Sequence, residues 1–197
     1  MTLEDLLDIA HDRDGFRLFF DCYRAAQNGA PLAHQDALPM RQLAKIMSHL
    51  TLLEQESPEQ LIYRIAGDTV IERLQFNPTG TNFLDLLPSD QRDEAVAGHQ
   101  TMLTHPCGFY MVYESEFENG SRAIIETITL PLRKTAGAEP KLFLSYHAHH
   151  STTGIAEINS GTVLAINRLK TEYADIGCGE PDEKLLNSSS NTATAAA

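Results

Sequence analysis

The chain has 197 residues, 42% of them hydrophobic, which is enough for one ordinary core and too little for two comfortable domains. Its 15 Lys and Arg against 27 Asp and Glu give a formal charge of -12, a balance that repels phosphate backbones and anionic lipid surfaces, so no nucleic-acid partner is expected. No run approaches the roughly 18 to 20 uncharged apolar residues of a membrane helix, and the acidic start MTLEDLLDIAHDRD is unlike a signal peptide, so no membrane insertion and a cytoplasmic location are expected.

Leu3, Leu6, Leu7 and Ala10, then Phe16, Phe19, Phe20, Tyr23 and Ala26 after Asp14-Gly15, predict two short helices or one broken one. Asn28-Gly29 and Pro31 stop that segment, and residues 1–37 are taken as flanking helices and connector. MRQLAKIMSHL leads into a first strand over 49–56, and QLIYRIAG (60–67) is the second after Ser57-Pro58. Asp68 opens a short helix through Leu74, and GTNFLDLLP (80–88) gives another helical turn. A longer helix runs from Ser89 to before Pro106, with Asp90, Asp93 and Glu94 favouring the positive end of its dipole. FYMVYESEFENGSRAIIETITLPL (109–132) predicts a hairpin, because Asn-Gly is the pair that a two-residue type I′ turn prefers. KLFLSYHAHH (141–150) is a fifth strand. Val163, Ile166, Leu169, Tyr173 and Ile176 are spaced as one face of a helix, assigned within 151–180, and 181–197 reads as a disordered tail. Hairpin-linked strands with helices on one face define an α+β antiparallel sheet over 38–150.

YRIAGDTVIERL (63–74), GTNFLDLLP (80–88) and LPMRQLAKIMSHLTLLE (38–54) resemble, nearly continuously, the central segments of a bacterial family of stand-alone PAS proteins. The Pro131-Leu132 strand ending and the acidic-Ile-Gly-x-Gly-x-Pro run at 175–181 fit the same resemblance. It implies a five-stranded PAS-like sheet with short helices between strands two and three, and a sensory or regulatory role in signal transduction. Gln75 departs from the family, which usually has glycine there, and a positive φ at that position would be strained.

A two-residue turn at Asn119-Gly120 would pair 113 with 126, 111 with 128 and 109 with 130. One apolar face then holds Phe109, Met111, Tyr113, Phe117, Ile124, Ile128 and Leu130, with Glu126 among them. A carboxylate in such surroundings needs a partner or a proton. Phe109, Met111, Tyr113, Ile124, Glu126 and Ile128 are therefore the candidate ligand pocket, with Tyr113 and Glu126 as its polar anchor. The alternatives are a filled core in which Glu126 pairs with Tyr113, Arg64 or Arg122, or a register slip that returns Glu126 to water.

Phe16, Phe19, Phe20 and Tyr23 form an aromatic surface suited to a signalling partner or a homodimer, or else a lid on the sheet. His147 and His149 share a strand face, but strand-end histidines usually cap or face solvent, so heme or metal ligation is not favoured and the cofactor stays open. Cys22, Cys107 and Cys178 are odd in number, with no C-x-x-C spacing, so neither a disulfide framework nor a zinc cluster is indicated. No G-x-S-x-G elbow, P-loop or dinucleotide fingerprint occurs. The reading is a non-catalytic sensory or regulatory protein that binds a small molecule, a signalling partner or both. The alternatives are a ligand-free interaction scaffold and, from another class, an α+β isomerase or dehydratase using Glu126 or a histidine as base.

Overall fold

The structure, a computed structural model, describes residues 1–118, 120–153 and 163–181. Two helices begin the chain, α1 (Leu3–Ile9) and α2 (Arg13–Gln27), followed by a short α3 (Met40–Leu43). Strands β1 (Leu50–Ser57) and β2 (Gln60–Ala66) then lead through α4 (Asp68–Leu74), a 3-10 turn at Phe83–Leu86 and α5 (Arg92–Thr104) into the rest of the sheet. That part comprises β3 (Gly108–Phe117), β4 (Arg122–Arg133), β5 (Pro140–Thr153) and β6 (Val163–Ala174). The strands form one antiparallel sheet in the order β2-β1-β5-β4-β3-β6. Among the described residues no helix is long and apolar enough to cross a membrane.

The sixth strand replaces the helix expected over 163–176. Its pairing with β3 slips between Lys170 and Arg168, so that Leu169 bulges out and is exposed. A bulge changes which parity of residue faces the core. Tyr173 on one side of it and Ile166 on the other therefore share a sheet face, and the resulting spacing of apolar residues imitates a helical one. The tail expected over 181–197 lies, after Pro181, outside the described residues.

The hairpin turn also differs from expectation. Phe117 N–H donates to the Ser121 carbonyl, Gly120 N–H donates to the Phe117 carbonyl, and Gly120 has φ +78. Three residues thus separate the paired ends, with glycine in the left-handed position that a three-residue hairpin loop requires. The register moves by one: Val112, not Tyr113, opposes Glu126, and Tyr110 opposes Ile128.

Each face of the sheet is covered. Leu50, Leu52, Ile128, Leu130, Leu142 and Leu144 form the face under α1 and α2. Phe16, Phe19, Phe20 and Tyr23 pack into it with no exposed surface, each contributing about 1.5–3 kcal/mol by burial. These rings, proposed from sequence as a partner or dimer surface, are therefore a lid on their own sheet. An apolar sheet face must be covered by something, and α2 reaches it first. On the other face, α5 and the Phe83–Leu86 turn pack against Leu53, Tyr63 and Phe143. Gln75 closes α4 at φ +61, the left-handed conformation that the sequence made strained for a non-glycine residue, and its side-chain amide donates to the Glu72 carbonyl.

Docking of the lid is polar as well as apolar. Tyr23 Oη donates to the Pro131 carbonyl at 2.7 Å, and Tyr146 Oη donates to Asp12, the carboxylate that also caps α2 by accepting from Gly15 N–H. Gly15 leaves room for that tyrosine, because a Cβ there would collide with Tyr146 Oη and with the Asp12 carboxylate. Gly15→Ala is expected to destabilise the fold by about 1–3 kcal/mol through overpacking, despite alanine's better helix propensity. Urea denaturation measures this, and a stabilised variant would contradict the packing described.

Candidate functional site

A cavity of about 1060 Å³ lies between the sheet and the α4–α5 side, at the upper end of the range for small-molecule sites. The helix side contributes Phe83, Leu86 and Met102, and the sheet floor carries a polar strip, Thr51, Ser115, Thr127, Thr129, Ser145 and His147, beside apolar Leu53, Phe109 and Met111. Arg73, at the end of α4, closes one side. The floor arises from strand alternation: Thr51 pairs with Ser145 across β1 and β5, Ser145 with Thr129 across β5 and β4, and Thr127 with His147. Buried hydroxyls on a sheet face are retained only where they find hydrogen bonds. Here Thr129 Oγ1 and Ser145 Oγ are 2.8 Å apart, and Thr51 Oγ1 is 3.0 Å from His147 Nε2.

The wall toward β6 is fastened by side chains. Arg168 of β6 makes a two-pronged ion pair with Glu94 of α5, and Gln91 Nε2 donates to the Ile166 carbonyl at 3.0 Å. The α5 helix is thereby tied to an edge strand rather than only packed on the sheet.

The residues proposed as a pocket from sequence are divided between the two faces. Phe109, Met111 and Tyr113 line the cavity, whereas Ile124, Glu126 and Ile128 point to the lid side. Glu126 is 2% exposed and none of its sequence-suggested partners holds it. Its carboxylate accepts from Tyr110 Oη at 2.5 Å and from the His11 backbone N–H at 3.0 Å. It anchors the α1–α2 connection to the sheet and is not a ligand anchor, because the one-residue register change turned every β4 side chain over. The same placement removes it as a base for the isomerase alternative.

His147 does reach the cavity, but as part of a hydrogen-bond chain. Arg73 Nη2 is 3.4 Å from its Nδ1, and its carbonyl accepts from His49 Nδ1 at 3.1 Å. Burial, then Arg73 and His49, hold the His147 imidazole well below its usual pKa, so it is neutral at pH 7. His149 is depressed by burial and by Arg73, and His99, on α5 against Phe143, by burial alone. Among the described residues, no three His, Cys, Asp or Glu side chains gather as a metal site. Thr51, Arg73 and Ser145 were not singled out from sequence. Nothing in a single strand shows which hydroxyl of a neighbouring strand stands beside it.

The profile of the PAS domain family matches residues 13–146, well over half of the chain. The chain belongs to the PAS domain family, a class of sensory and regulatory domains. Among solved structures, a variant of RsLOV is similar over 81% of this chain and 95% of that one, at 17% identity and a TM-score of 0.40. No curated protein matches.

Two outcomes are expected from this geometry. Glu126→Gln places an amide N–H₂ where only donors converge and should cost about 1–3 kcal/mol, read by urea denaturation, with faster hydrogen exchange at the His11 amide. An unchanged stability would contradict the anchor. The three depressed histidines stay neutral in the fold after their unfolded counterparts begin to protonate near pH 6.5. Acid therefore favours the unfolded chain, and stability should fall as the pH drops below about 6.5 toward the folded pKa values. His147→Gln should flatten that slope, and an identical slope in wild type and variant would contradict the assignment.

Proposed function

We propose that the protein is a non-catalytic PAS sensor of bacterial signal transduction that binds a small molecule in the cavity between the sheet and α5 and reports to a protein partner. The observation that carries this is the cavity itself: about 1060 Å³ with Phe83, Leu86 and Met102 on its helix side and a polar strip beside apolar residues on its floor. A core built only for stability would fill that space, since interiors pack densely and voids cost stability.

Response follows from where the walls are fastened. A ligand that contacts both the floor and α5 favours those states in which α5 keeps one position relative to β6 and the Arg168–Glu94 pair, a population shift set by its differential affinity. With the α2 aromatic rings buried, a signalling partner or a second copy would have to read another surface, such as the α4–α5 side.

Native mass spectrometry of the protein purified from its own host tests the binding. A stoichiometric small molecule is expected on the wild type and absent from Met111→Trp, whose indole would fill the cavity floor. A bare protein mass in both would overturn the sensor reading and favour a ligand-free interaction scaffold.

A further inference from the structure

Hydrogen-bond direction in the cavity floor constrains what the cavity can receive. A guanidinium only donates, so the Arg73–His147 contact makes His147 Nδ1 the acceptor. The neutral ring then carries its proton on Nε2 and donates it to Thr51 Oγ1 at 3.0 Å. Thr51 is buried, its oxygen is already accepting, and among the described residues no protein acceptor takes its own O–H. A chain of donors that begins at a cation thus ends on a hydroxyl hydrogen at the cavity wall.

A second donor stands beside it. Thr129 and Ser145 share one hydrogen bond at 2.8 Å, so whichever hydroxyl accepts has an O–H left over. Thr51, Ser145 and Thr129 are consecutive cross-strand partners on β1, β5 and β4, about 5 Å apart from strand to strand. Two hydroxyl donors are therefore presented side by side from a rigid sheet, and across the cavity from them stand Phe83, Leu86 and Met102.

Resting on the ligand-binding reading above, we infer that the cavity takes an apolar small molecule headed by a carbonyl-type oxygen, carboxylate or neutral carbonyl, which accepts from Thr51 and from the Thr129–Ser145 pair while its body lies under Phe83, Leu86 and Met102. The test is a calorimetric titration of the full chain with three probes of similar length: decanoate, 2-undecanone and decylammonium. Decanoate and 2-undecanone should bind, with the relative affinity of the two showing whether a charged or a neutral head is preferred. Decylammonium, which can only donate, should bind about tenfold or more weakly. Thr51→Val should weaken the two oxygen-headed probes by about tenfold and leave decylammonium unchanged, while Thr51→Ser keeps the hydroxyl and the affinity. Thr129→Val supplies the same test from the neighbouring strand should Thr51→Val fail to fold. Equal binding of decylammonium, or wild-type affinity in both valine variants, overturns the acceptor-head inference; if Met111→Trp still abolishes that binding, the cavity reading stands alone. Titrations with no heat from any probe, in wild type and Met111→Trp alike, overturn both.

Discussion

Three residues, rather than two, separate Phe117 from Ser121, and this turn length decides which β4 side chains face α5 and which face the N-terminal lid. Because strand side chains alternate, the extra residue inverts the whole strand. Thr127 and Thr129 become cavity floor, and Glu126 and Ile128 become lid contacts. Gly120 permits that turn at φ +78, a conformation that glycine adopts without steric cost.

With that register in place, the two faces of the sheet take different work. The lid face holds the large apolar rings of α2 and satisfies its buried polar groups internally, Glu126 with Tyr110 and His11, and Tyr146 with Asp12. The opposite face has hydroxyls where a filled core would have aliphatic side chains, and its helices leave a cavity above them. Polar groups on the lid side strengthen docking of an element that the sequence places far from β4. On the cavity side, uncommitted hydroxyl hydrogens are a cost to the empty protein that an oxygen-bearing ligand would remove.

Much of this was legible in the amino-acid sequence. Element order from α1 to β5 follows from periodicity and turn residues, and the resemblance carried by residues 38–88 anticipated the PAS family and its α+β sheet. Gln75 stood out in the sequence only as a departure from the family's glycine at a position where a positive φ would be strained, and the structure gives it that φ. What was not legible depended on single-residue offsets. Asn119-Gly120 is compatible with a two-residue turn or with glycine closing a three-residue one, and local composition does not separate them. The bulge at Leu169 likewise rearranged the apolar spacing of β6 into a helical imitation. The cavity floor required register across β1, β5 and β4 together, so Tyr113 and Met111 could be placed near it from the hairpin alone while Thr51 and Ser145 could not.

The register itself is the most direct point of test. In an antiparallel pair, close Hα–Hα contacts mark the non-hydrogen-bonded positions, which here include Val112 with Glu126 and Glu114 with Ile124. Nuclear Overhauser effects between the Hα protons of those two pairs are predicted by the account, and they would fix Glu126 beneath the lid. Cross-peaks expected of the other register, placing Tyr113 directly opposite Glu126, would contradict it, return the carboxylate to the cavity and displace the hydroxyl floor from which the ligand argument is built.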